Sequence, residues 1–191
     1  MTASKGKVTL TDFQKTCLNI AIVLGSCLLC LLLSPMRFPG IELLGVSPNW
    51  VLIWVVIWSI HHPIVDGAIA GIVLGLLQDG LTGPFPTHAL SLMVVGMLTA
   101  RLQRQRIIQE NVVLVAFIVF GMAVVAATVI ALQMSFRHIL WPDSPYLNLW
   151  QIWRTHQRVA LSSAILSSLW TPALYYPMHR WWKGELNTRK P

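Results

Sequence analysis

Long apolar runs, interrupted by short groups of basic residues, prolines and glycines, dominate the chain. Matching them to the roughly 20 residues that cross a bilayer predicts six helices. Their expected bounds are residues 17–34, 48–60, 63–79, 87–102, 111–134 and 159–178. A polar leader, 1–16, precedes them. The longest loop is expected at 135–158, and a basic tail at 179–191. Pro48 suits the first turn of its helix, where a missing N–H has no partner to lose. The fifth helix is the cleanest span, reaching about 36 Å at 1.5 Å per residue. The second and third are short. They either cross or form a re-entrant hairpin, which protein would have to shield because bare irregular backbone is costly in hydrocarbon.

Composition agrees with lipid as the main solvent. Of the 191 residues 55% are hydrophobic and 11% charged, against about a quarter charged in soluble domains. The formal net charge is +7, but the basic residues sit between apolar runs and at the two ends instead of forming one basic face. That argues against nucleic acid as a partner. Lysine and arginine in short loops set orientation. With the N-terminus inside, the cytoplasmic side holds Lys5, Lys7, Lys15, Arg101, Arg104, Arg106, Arg180, Lys183, Arg189 and Lys190. The outer side holds only Arg37, Arg137, Arg154 and Arg158. Both termini are therefore expected in the cytoplasm.

The basic start and the segment Leu24-Gly25-Ser26-Cys27 imitate a lipoprotein signal. The chain stays apolar afterwards through Leu33, so an uncleaved first helix is expected. Cys27 and Cys30 form a C-x-x-C, with no second pair to complete a metal site, and read as small buried residues. In the outer loop Trp141, Trp150 and Trp153 suit the headgroup zone, and part of that loop reads as a short interfacial helix that anchors the chain or docks a partner. Trp181 and Trp182 mark the opposite surface.

The third helix is the most informative. Gly67, Gly71 and Gly75 recur every four residues and share one face, which lets another backbone come close, within this chain or from a partner. Asp66 and Asp79 flank that face near opposite membrane surfaces. Each is either satisfied by water, a helix end or a turn, or contacts a ligand, proton or partner. Trp50, Trp54 and Trp58 form a stripe that packs or lines a pocket for a flat solute. His61, His62 and His88 have no carboxylate at ligand spacing beside the His61-His62 pair, so no metal or other cofactor is expected. No serine sits in a rhomboid-like setting, no phosphate loop occurs, and the acidic residues are too few and scattered for membrane phosphotransfer. A catalytic site is not expected.

Pro48-Asn49-Trp50, Pro63, the Gly67, Gly71 and Gly75 series, Leu76-Leu77-Gln78-Asp79, Thr82-Gly83 and His88-Ala89-Leu90 resemble the rod shape-determining protein MreD family in order and spacing. The run Trp170 to Met178 resembles that family's last span more loosely. Where many members carry a glycine after the position of Gly83, this chain has Gly83-Pro84-Phe85-Pro86-Thr87. The resemblance marks Pro48, Trp50, Pro63, Asp79, Gly83 and His88 as family-motif positions. It implies an all-α, six-helix bundle like the substrate-binding subunits of energy-coupling transporters. It further implies a non-enzymatic, multi-pass scaffold of the bacterial inner membrane that binds the single-span protein MreC. Through MreC it would be linked to MreB and to a peptidoglycan glycosyltransferase and transpeptidase, with membrane lipids as further partners. The rival reading is a small-solute binding or transport subunit.

Overall fold

A computed structural model describes residues 12–36, 45–83, 85–104, 111–140 and 149–188. Among the described residues there are six α-helices and no strand. They are α1 (Asp12–Leu33), α2 (Trp50–Ile60), α3 (Ile64–Thr82), α4 (His88–Arg104), α5 (Val112–Leu140) and α6 (Leu149–Thr188). Two of them, α3 and α5, are long and apolar enough to cross a membrane. The apolar part of α1, Cys17–Leu33, and α2 are shorter apolar helices.

The core is built around α2. A helix that is apolar on every side must be enclosed by protein or lipid, and here protein encloses it. Every residue from Trp50 to Ile60 is buried except Trp58, which is half-buried. Around it pack Cys30 and Leu31 of α1, Leu74 of α3, Leu92 and Val95 of α4, Val115 and Val119 of α5, and Ala164 and Tyr175 of α6. At 11 residues, α2 is about 16 Å long, half the hydrocarbon thickness, and does not cross by itself. Asn49 starts it within the bundle. Its side-chain oxygen accepts from Leu52 N at 3.0 Å, and its own N–H donates to Ser167 Oγ on α6 at 3.0 Å. These bonds satisfy end groups that an apolar interior would otherwise strand.

Outward faces are the reverse of water-soluble ones. On α3, Gly67, Gly71, Leu74 and Gly75 are buried, whereas Val65, Ile69, Val73, Leu76 and Leu77 are exposed. On α5, Val115, Val119 and Ala126 point inward, and Val113, Phe117, Leu132 and Phe136 point outward. Contiguous apolar surface of this kind marks contact with lipid or protein.

Helix bounds differ from the apolar windows mainly around the expected 135–158 loop. Its first residues, 135–140, belong to α5, and 149–158 belong to α6. Trp141 and the rest of 141–148 lie outside the described residues. Likewise α6 passes the expected stop at 178 and continues to Thr188. The cause is physical. Hydropathy reports the medium, whereas backbone hydrogen bonding carries a helix on through polar sequence. From Leu149 to Thr171 there is no glycine or proline. Pro172 and Pro177 then sit inside the helix. Just ahead of them the Thr171 hydroxyl donates to Ser167 O at 2.7 Å, the back-bond that satisfies a threonine hydroxyl inside a helix.

Candidate functional site

Helices α3 and α4 approach each other backbone to backbone. A methyl group added to Gly67 would lie 2.8 Å from the carbonyl oxygen of Gly96 and 2.9 Å from Ser59 Oγ. One added to Gly71 would collide with the Leu92 backbone, and one added to Gly75 with the Ala89 backbone. Gly96 reciprocates, since its own Cβ would strike the Gly67 carbonyl. Only hydrogen fits at these places. The glycine face is thus filled by α4 of the same chain, with close backbone dispersion contacts along the seam. Gly96 was missed by sequence reasoning. Its signal was there: with Ala89 and Ala100 it forms a small-residue series on one side of α4.

The same two helices are joined by a turn fixed from three sides. Gly83, at φ +117°, ends α3 in a conformation that favours glycine, and its N–H returns to Asp79 O at 2.8 Å. Asp79 itself reaches across the turn. Its Oδ1 accepts from the His88 backbone N–H and from the His88 ring Nδ1–H, each at 2.7 Å, and Oδ2 accepts from Ala89 N at 3.4 Å. His88 and Ala89 open α4, so the carboxylate caps a helix N-terminus from the preceding helix, where amide donors and the helix dipole both favour negative charge. Asp79 is 8% exposed, and burial makes those partners necessary.

From α5, Gln133 completes the hold. Its Oε1 accepts from Thr87 N and Thr87 Oγ1 at 3.0 Å each, and its Nε2 donates to Thr87 O at 3.1 Å. One turn further along α5, the Arg137 guanidinium lies 4.5 Å from the centre of the Phe85 ring, within cation–π range. Neither Gln133 nor Arg137 was singled out from sequence as a turn contact. Gln133 acts 46 residues away along the chain, and Arg137 likewise meets its ring only through the fold. Beside Asp79, Gln78 Nε2 meets Ser34 Oγ, just past α1, at 3.5 Å. This end of the bundle therefore brings together α1, α3, α4 and α5.

The remaining candidates lie elsewhere. Pro48 is buried and Trp50 packs edge-on against Trp170 of α6 at 5.5 Å. Trp54 stacks on Trp58 at 5.2 Å and donates its indole N–H to Ser26 Oγ at 3.0 Å; Trp58 stacks on His62 at 3.7 Å. The stripe is thus embedded packing, with Trp54 only 2% exposed. Pro63 is the N-cap of α3, and Asp66 stands exposed in that helix's first turn. Cys17 is exposed, Cys27 half-buried and Cys30 buried in the core. Among the described residues no three histidine, cysteine or acidic side chains converge on one point. Trp150 is 74% and Trp153 37% exposed at the start of α6. Trp181 and Trp182 fall in its last turns, with side chains outside the described set.

Among the described residues these features define an all-helical fold with apolar outward faces, whose third and fourth helices are locked by glycines and by a capped, clamped turn. The sequence profile of the family described as rod shape-determining protein MreD matches residues 14–178. The chain belongs to the rod shape-determining protein MreD family, a shape-determining family and not a known family of enzymes. Comparison with curated proteins and with solved structures gives no match.

Proposed function

We propose that this chain is a multi-pass scaffold of the bacterial inner membrane that binds MreC and so supports peptidoglycan synthesis in cell elongation. The family match over residues 14–178 carries this reading. In this reading all six helices belong to the membrane domain, with both termini in the cytoplasm. The short central α2 completes its passage within the bundle, shielded by its neighbours. Support comes from the exposed apolar faces of α1, α3, α5 and α6 and from the positive charge gathered at the ends and at Arg101 and Arg104.

A scaffold needs a rigid frame and free outer surfaces. The α3–α4 lock supplies the frame, and its glycines are used up inside the chain. Partner helices are therefore left the outward faces, where van der Waals packing and interhelical hydrogen bonds drive association in lipid. The small-solute alternative loses its main support because Trp50 and Trp54 are buried in packing.

The test is depletion of the chain from its own cells, with complementation. Depleted cells should lose rod shape and widen. The parent sequence should restore them, and Gly71→Leu should not. Unchanged rod shape after full depletion would contradict the reading.

A further inference from the structure

Arg154 and Arg158 stand four residues apart on α6 and face a cavity of about 660 Å³. Thr155, Val159 and Ser162 of the same helix and Val46, ahead of α2, form the rest of its described wall. Neither guanidinium has a carboxylate partner among the described residues, and both are exposed. Ser162, one turn deeper, is 4% exposed. The pair also runs against the charge asymmetry of the chain, being two of the four basic residues assigned to the outer side.

We infer that this cavity is a binding site for the headgroup phosphate of an anionic phospholipid, a reading that depends on the membrane placement proposed above. The chemistry of the groups argues for phosphate. Two adjacent guanidiniums offer forked donors matched to its oxygens, and no carboxylate among the described residues neutralises either cation. The surroundings argue for a lipid instead of a free anion. Trp150 and Trp153, one turn towards the N-terminus, are exposed aromatic rings of the kind that mark headgroup depth. Beyond Arg158, Leu161, Ile165 and Leu169 expose an apolar strip along α6 in the direction acyl chains would take. The arginines thus sit at the junction of an aromatic belt and a lipid-facing helix, where headgroup phosphate is found.

The experiment titrates phosphatidylglycerol into the full chain in a neutral detergent, with phosphatidylcholine as the zwitterionic control and inorganic phosphate as competitor. The parent should prefer phosphatidylglycerol by roughly tenfold or more, as two interfacial cations allow. The double variant Arg154→Gln, Arg158→Gln should lose that preference, and Arg101→Gln, at the other end of the bundle, should keep it. A photoreactive phosphatidylglycerol on the unaltered parent should label residues 150–165, a readout that needs no variant to fold. Retained preference in the double variant, label confined elsewhere, or complete displacement by millimolar inorganic phosphate would overturn the site. Insertion into phosphatidylcholine vesicles is scored separately: a chain that inserts without preferring the anionic lipid refutes this site alone, and one that does not insert refutes the membrane reading.

Discussion

One carboxylate oxygen of Asp79 holds both the backbone N–H and the ring Nδ1–H of His88, each at 2.7 Å. The last turn of one helix thereby supplies the N-terminal cap of the next. That relationship explains why an acidic residue survives at 8% exposure in so apolar a chain. It also gives the Asp79 and His88 positions a structural job, namely fixing the angle at which α4 returns along α3.

Asp79→Ala should therefore destabilise the folded chain by about 1–2 kcal/mol, the usual worth of a lost cap. Asp79→Asn, which keeps one acceptor oxygen, should cost less. Equilibrium unfolding in mixed micelles measures both. Equal losses would show that the cap bonds contribute nothing beyond charge.

Glycine positions should divide into two classes. Gly71→Leu and Gly96→Val force side chains into opposing backbone, and each should cost about 3 kcal/mol or more. Gly25 and Gly121 are exposed on α1 and α5, with nothing within 4 Å of where a methyl group would stand. Alanine there should be neutral or stabilise by up to about 1 kcal/mol through helix propensity. Thermal unfolding of the four variants side by side distinguishes the classes, and a uniform response would refute the close-packed α3–α4 contact.

Gln133→Leu should remove all three bonds to Thr87 and leave its backbone groups unsatisfied, at about 1–3 kcal/mol. The turn should loosen before the helices do. Faster proteolysis or hydrogen exchange confined to residues 83–88 is the expected sign, and unchanged protection there would contradict the clamp.

Ser26 and Trp54 join α1 to the central helix by one hydrogen bond of 3.0 Å. A double-mutant cycle of Ser26→Ala and Trp54→Phe should give a coupling of roughly 0.5–1.5 kcal/mol, the usual net worth of one hydrogen bond. Additive effects would mean the bond has no net value.

Much of this arrangement was legible in the residues because long apolar runs and a repeating small-residue face are blunt signals. Apolar run length located all six helices, and a four-residue glycine period identified the packed face of α3. Three kinds of feature were not legible. Helix ends in polar sequence escaped, as α5 and α6 show, because hydropathy follows depth and backbone hydrogen bonding does not. The partner of the glycine face escaped, because the series Ala89, Gly96 and Ala100 marks a small-residue side of α4 without telling that Gly67 lies against it. The clamp escaped, because Gln133 and Arg137 are ordinary polar residues at the end of an apolar helix, and only the fold brings them to Thr87 and Phe85. Asn49 is a milder case: Asn before an apolar run is a cap signal, but its bond to Ser167 depends on α6.

A membrane scaffold for a single-span partner must hold that partner when the two leave the membrane together. The decisive experiment purifies the tagged chain from its native membranes in mild detergent and measures MreC in the same fractions. MreC should co-elute with the parent in fixed ratio and be lost from an otherwise folded variant altered on an outward helix face. A folded, monodisperse chain that retrieves no MreC from membranes containing it would rule the scaffold out.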